Sequence, residues 1–197
     1  MTDNNNLDAC VSPLAAAYIQ DQQQWKAFLA QYGRGAEVVI ATGGYRVYRI
    51  GNHLLKISNK NVSIFEKVIK NEFEVLRRLQ GIGPALDPEL MHFEPGLVAV
   101  KMNFLKGALL TDLLDQDKEI HLPFAKVIWR LFRISLRGVY YKQLRTRHIM
   151  IMDDREFSFI DFGGSEIVSP LNALRRNLLQ KNEIGKSLGR ERLRTIL

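Results

Sequence analysis

The stretch that most constrains this chain runs from Tyr141 to Glu166, YKQLRTRHIMIMDDREFSFIDFGGSE. Two short apolar runs, His148 to Met152 and Glu156 to Ile160, flank the polar turn Asp153-Asp154-Arg155, which predicts a pair of strands. Asp161-Phe162-Gly163-Gly164 follows at once. An acidic side chain at the end of an apolar strand, with glycines behind it, suits a metal ion held beside a phosphate. Glycine lets backbone come close without a side chain in the way. Asp161 is therefore the first candidate site residue.

Upstream, the pattern supplies companions. Val38-Val39-Ile40, Tyr45 to Ile50 and His53 to Ile57 are β-branched and aromatic runs separated by Thr42-Gly43-Gly44 and Gly51-Asn52, which predicts a three-stranded antiparallel meander. Gly43 and Gly44 fit a turn that covers a phosphate with backbone amides, or a plain hairpin turn. Lys56 is a lone cation in an apolar strand. It either points to solvent or contacts a phosphate, in which case a carboxylate must hold it. Ile64 to Leu79 has a helical apolar rhythm with Glu72 in its middle, where it can face the sheet, while Glu74 points elsewhere.

Further along, Gly96 to Met102 reads as a buried strand and Asn103 to Gly107 as a connector to a helix capped by Thr111. Phe124 to Tyr140 reads as one amphipathic helix, and a basic helical tail follows Ser169-Pro170, packing through Leu171, Leu174, Leu178 and Leu179. Pro13 to Tyr32 predicts a helical leader with Ser12 as its cap.

Length and charge narrow the classes. A chain of 197 residues holds one core or one domain of two lobes. The single cysteine, Cys10, excludes an intramolecular disulfide and a cysteine zinc site. The polar, acidic start of the chain is unlike a secretory signal, so the expected location is the cytoplasm, with attachment to the inner face of the membrane as a variant of it. The formal charge of +7 is concentrated late: Phe124 to His148 holds seven basic residues and no acidic one. Such a half attracts an anionic acceptor, an anionic membrane surface or nucleic acid, or is simply a solvated face. Nucleic acid ranks last, because the aromatic-basic interleaving of single-strand platforms is missing.

A strand lysine, a helix glutamate, a connector, a long helix and Asp-Phe-Gly, in this order, resemble the protein-kinase-like fold over about Glu37 to Glu166. The resemblance implies an α+β, bilobal molecule. Its N-lobe would be an antiparallel sheet plus one helix, and its C-lobe reduced and mainly helical. The divisions would be residues 1–36 as a helical extension, 37–102 as the N-lobe and 103–197 as hinge and C-lobe. It implies ATP and Mg²⁺ as cofactors. Lys56 would touch the nucleotide phosphates with Glu72 as its partner, Gly43 and Gly44 would cover them, Asn103 to Leu105 would meet the adenine, and Asp161 would bind the metal.

Aligned with the family's catalytic loop, Gln143 falls where the catalytic aspartate is expected and His148 where the second metal-binding residue is expected. Tyr141 stands in place of the usual leading histidine. A histidine at that metal position resembles the bacterial lipopolysaccharide core kinases, which act on sugar hydroxyls. Gln143 can orient a hydroxyl without accepting its proton, and Arg145 would stand near the γ-phosphate. Two readings follow: a phosphotransferase acting on a lipopolysaccharide sugar or a protein side chain, and a pseudokinase that works by binding a protein partner.

Overall fold

The computed structural model describes residues 30, 36–41, 45–59, 63–83, 86–93, 97–116, 122, 124–142, 144–153 and 156–188. The expected leader helix, the turn with Gly43 and Gly44, and Gln143 lie outside the described residues.

The first half is a sheet and one helix. Strands β1 (Glu37–Ala41), β2 (Tyr45–Ile50) and β3 (His53–Asn59) form the expected meander. Helix α1 (Ser63–Arg78) follows, then β4 (Glu89–Phe93) and β5 (Leu97–Asn103). The sheet order is β1-β2-β3-β5-β4, antiparallel at every pairing. Strand β4 was not anticipated: Glu89 and His92 break its apolar run, and Glu89 pairs instead with Lys101 on the neighbouring strand at 3.1 Å. In β1 the register shifts between Val38 and Ile40, which pair with Tyr48 and Val47.

Alternation along β3 separates two environments. Leu55 and Ile57 join Tyr48 and Ala99 in a small buried cluster. Lys56, between them, points to the opposite face, as successive side chains of a strand must. That is the face with Val98 and Val100, which pack with Ile69, Val75 and Leu76 of α1.

The second half contains β6 (Ala108–Leu109), α2 (Leu110–Asp115), α3 (Phe124–Leu136), β7 (Val139–Tyr140), β8 (Ile149–Asp153), β9 (Glu156–Phe159), β10 (Glu166–Ile167) and α4 (Pro170–Leu188). Strands β6, β8 and β9 make one small sheet, and β7 pairs with β10. Three expectations are corrected here. Thr111 does not cap α2; Leu109 holds the cap position, and the Thr111 hydroxyl bonds Thr146 at 2.7 Å. The helix from Phe124 ends at Leu136, because Gly138 takes a positive φ of 70° and turns the chain into β7. A Cβ there would lie 2.5 Å from the Val168 carbonyl oxygen, so only glycine fits.

The third correction concerns α4. Leu174 is half-buried, but Leu171, Leu178 and Leu179 are exposed. The helix is seated by Ala173 and by a buried amide, Asn177, which donates to the Ser135 hydroxyl at 2.8 Å and the Val139 carbonyl at 2.9 Å and accepts from the Tyr141 amide at 2.9 Å. Asn177 fits polar backbone ends that no leucine could satisfy.

Candidate functional site

Lys56 projects from the centre of β3 toward α1, where Glu72 stands one turn before the core residue Leu76. The Lys56 Nζ lies 2.7 Å from Glu72 Oε2 and 2.8 Å from Asp161 Oδ1. Lys56 and Glu72 are buried, at 6% and 2% exposure, whereas the Asp161 side chain is 45% exposed. The three residues whose sequence positions span the described fold therefore meet at one point, with only Asp161 open to solvent.

Their electrostatics follow from two carboxylates sharing one ammonium. Burial alone would lower the Lys56 pKa, but the Glu72 carboxylate and then Asp161 more than offset it, and the lysine is held above its ordinary value. Burial dominates at Glu72 and pushes its pKa up against the pull of Lys56. At Asp161 partial burial is outweighed by Lys56, helped by His148 and Arg147, and the pKa is lowered. The exposed carboxylate is thus the one that stays ionised most readily.

The turn that presents Asp161 is fastened from several sides. Asp161 has φ 60° and ψ 66°, a left-handed conformation uncommon outside glycine. The Phe162 amide donates to Glu72 Oε1 at 3.2 Å, and Asn71 Nδ2 donates to the carbonyls of Gly163 at 3.2 Å and Ser165 at 2.7 Å. A Cβ on Gly163 would fall 2.8 Å from Val68 Cγ1 and 3.4 Å from Glu72 Oε2, whereas one on Gly164 would meet open space. Behind the turn, the Tyr141 hydroxyl donates to the Ile160 carbonyl and its ring packs on Phe162 at 4.9 Å. Burial, with Asp161 and Glu72 nearby, raises the Tyr141 pKa well above its ordinary value.

His148 is buried, and its Nε2 lies 4.0 Å from Asp161 Oδ2 and accepts from Arg147 Nε at 3.2 Å. Arg145 is exposed at the head of the same single turn, and its carbonyl accepts the His148 amide at 2.9 Å. Asn103 ends β5; its amide donates to the Leu86 carbonyl at 2.8 Å and its side chain to Asp87 at 3.0 Å. The Phe104 amide donates to the Asn52 carbonyl at 2.7 Å, and Leu105 beyond it is half-buried. Lys56, Glu72, Asp161 and His148 are brought together; Asn103 and Leu105 sit on the strand end and the connector after it.

Sequence reasoning passed over four contributors. The Tyr45 ring lies 4.8 Å from Lys56 Nζ. Asn71 ties α1 to the glycine turn, and Asn177 and Gln180 of α4 hold the backbone on either side of residue 143. Gln180 donates to the Tyr141 carbonyl at 2.9 Å and accepts the Leu144 amide at 3.3 Å. The available signal was an amide inside an apolar helical rhythm, which needs a buried polar partner to be tolerated.

Among the described residues no group of three or more histidine, cysteine or acidic side chains is placed to hold a metal ion. Magnesium does not need one, since it is commonly held by one or two carboxylates with phosphate oxygens and water completing its octahedron. Asp161, with Oδ1 on Lys56 and the rest of its carboxylate partly exposed, fits that mode.

No protein-family model matches the chain, and no curated protein matches it. Solved structures do. The bifunctional kinase-methyltransferase WbdD superposes with a TM-score of 0.54 at 19% identity, covering 72% of this chain and 35% of WbdD. WbdD with a kinase inhibitor gives 0.52 at 19% identity over 73% of this chain and 36% of that one. A further WbdD structure, with its C-terminal bundle ordered, gives 0.54 at 17% identity over 77% and 33%. The chain spans about a third of the length of these proteins. With an antiparallel sheet, a handful of helices and this structural likeness, the chain has a kinase-like fold.

Proposed function

We propose that this chain is a kinase-like phosphotransferase that binds ATP with Mg²⁺ and moves the γ-phosphate to a hydroxyl. Residues 37–102 are then the N-lobe and 103–197 the hinge and reduced C-lobe, with 1–36 as an extension. The observation that carries the reading is the buried Lys56–Glu72 pair meeting a half-exposed Asp161. A lysine kept charged and aimed at a carboxylate that can take a divalent ion is what a polyphosphate requires. Asp161 would hold Mg²⁺, with His148 as its neighbour; the ion neutralises charge developing on the phosphates. Lys56 would exchange its bond to Asp161 for a phosphate oxygen while Glu72 keeps it oriented. Leu105 and the end of β5 would face the adenine, and Gly43 and Gly44 the phosphates. Arg145 would balance charge near the γ-phosphate, and Gln143 would orient the acceptor hydroxyl, on a lipopolysaccharide core sugar or a protein side chain. The location that goes with this reading is the cytoplasm, free or attached to the inner face of the membrane.

The test is thermal unfolding with ATP, with and without Mg²⁺. Wild type is expected to be stabilised by MgATP, by about 2.7 kcal/mol at a hundredfold excess over Kd, and Lys56→Ala and Asp161→Asn to lose the effect. No shift in wild type would overturn the reading.

One observation favours a second reading, a pseudokinase that binds a protein partner. Lys56 is enclosed by Glu72, Asp161 and the Tyr45 ring, so nucleotide must displace a bonded group to reach it. Phosphotransfer appearing in Gln143→Asp but absent from wild type would favour it, and wild-type turnover lost in Lys56→Ala would exclude it.

A further inference from the structure

Helices α3 and α4 meet through the Asn177–Ser135 hydrogen bond of 2.8 Å. Helical spacing sets the residues three before and one after that contact on either flank of it: half-buried Phe132 and exposed Leu136 on α3, half-buried Leu174 and exposed Leu178 on α4. The inner sides of both helices enter the core through Leu131, Ile134 and Ala173. The outer side carries large apolar side chains among its exposed basic ones. Trp129 is 60% exposed, Leu136 53%, Leu171 76% and Leu179 67%. Trp129 stacks on the half-buried Phe132 at 5.5 Å, so its exposed ring is backed by a second one.

The charges on this face have one sign. Arg133, Arg137 and Arg175 are exposed on the same two helices, and neither Phe124–Leu136 nor the first thirteen residues of α4 contain an acidic residue. Two acidic groups that reach these helices already have cations. Glu156 lies 3.5 Å from Arg130, and Glu166 bonds Lys142 at 3.1 Å and Arg176 at 2.6 Å, which lowers its pKa. Among the described residues no helix is long and apolar enough to cross a membrane. An exposed Trp-Leu stripe edged by arginines is the pattern of helices lying along a bilayer interface, with apolar side chains at the acyl boundary and guanidinium groups among the headgroups.

We infer that the outer face of α3 and α4 docks on an anionic lipid bilayer, with Trp129, Leu136, Leu171 and Leu178 entering the interface and Arg137 and Arg175 meeting lipid phosphates. The inference does not depend on nucleotide binding and is tested without nucleotide. It has a structural consequence for the candidate site, since the same helix α4 holds the backbone around residue 143 through Asn177 and Gln180.

The experiment is co-sedimentation of the full chain with vesicles of phosphatidylglycerol and phosphatidylcholine in equal parts, against phosphatidylcholine alone, in low and moderate salt. It is run in a Trp25→Phe background, which leaves Trp129 as the only tryptophan. Binding to the anionic vesicles alone is expected, with Trp129 emission shifting to shorter wavelength. Arg137→Gln and Arg175→Gln should each weaken partition about fivefold. Leu136→Ser with Leu178→Ser should weaken it several-fold at fixed salt, with the melting temperature unchanged. Three results would overturn the inference: no partition into anionic vesicles, partition indifferent to the leucines, or a dimer in sedimentation velocity that the leucine variants dissociate, which would mean that a second copy covers the face.

Discussion

Lys56 is bounded by a carboxylate on α1, a carboxylate in the Asp-Phe-Gly turn and an aromatic ring on β2. Removing the ammonium leaves Glu72 as a buried anion, and breaking a buried pair by deleting one partner typically costs about 3–5 kcal/mol. Glu72 can escape that cost by taking up a proton, since burial already holds its pKa above the ordinary 4.5. A raised carboxyl pKa means that the folded state binds the proton more tightly, so stability falls as pH rises from 4.5 through the folded value. The destabilisation in Lys56→Met should therefore be small in acid and grow toward neutral pH, and adding Glu72→Met should abolish the growth. Urea unfolding across that pH range measures it. The pairing of these two residues was legible through the resemblance, since the strand period left Lys56 a choice between solvent and interior and the helix period only allowed Glu72 to face the sheet. Tyr45 was not legible as the third boundary of Lys56, since it pairs with Ser58 and reaches Lys56 only diagonally across the strands, a relation set by register.

At the scale of elements, α1 and the glycine turn fit together without spare room. Gly163→Ala should cost about 1–3 kcal/mol, because its Cβ meets Val68 Cγ1 at 2.8 Å. Gly164→Ala, in open space, should stay within about 0.5 kcal/mol. Adding Val68→Ala to the first variant should recover part of the loss, as read by denaturant midpoints. The pair of glycines looks symmetrical in sequence, and only the approach of α1 tells them apart. Helix α4 presents the opposite case: its leucines resembled packing residues, whereas a satisfied amide does the seating. Asn177→Leu should cost about 3 kcal/mol by stranding buried backbone groups, and amide exchange at Tyr141 should accelerate more than at core positions of β3. The end of α3 was hidden for a similar reason. Gly138 is followed by Val139 and Tyr140, which prefer a strand but also prolong the apolar rhythm of the helix, and the contact with Val168 decides between them.

Across the whole molecule, one apolar cluster runs from Ile69 and Leu76 of α1 through Val98 and Val100 of β5 to Leu131 and Ile134 of α3 and Phe157, Phe159 and Phe162 around the Asp-Phe-Gly turn. A cluster shared in this way couples the sheet to the helical half, so both should unfold together. Far-ultraviolet dichroism and Trp129 fluorescence in the Trp25→Phe background are expected to give coincident denaturation curves; separate midpoints would show that the halves hold themselves. Order and spacing along the chain made the kinase-like arrangement legible, while strand β4 and the corners around Gly138 depended on contacts between distant segments. The sheet also has to end somewhere. Among the described residues its outer strand on one side is β1, where Val38 and Val39 both lie exposed because the register shift between Val38 and Ile40 breaks the alternation. A neighbouring molecule offering a straight strand would find the ladder interrupted after two residues, so the irregularity that spoils this strand's pairing also keeps the protein from templating its own polymer.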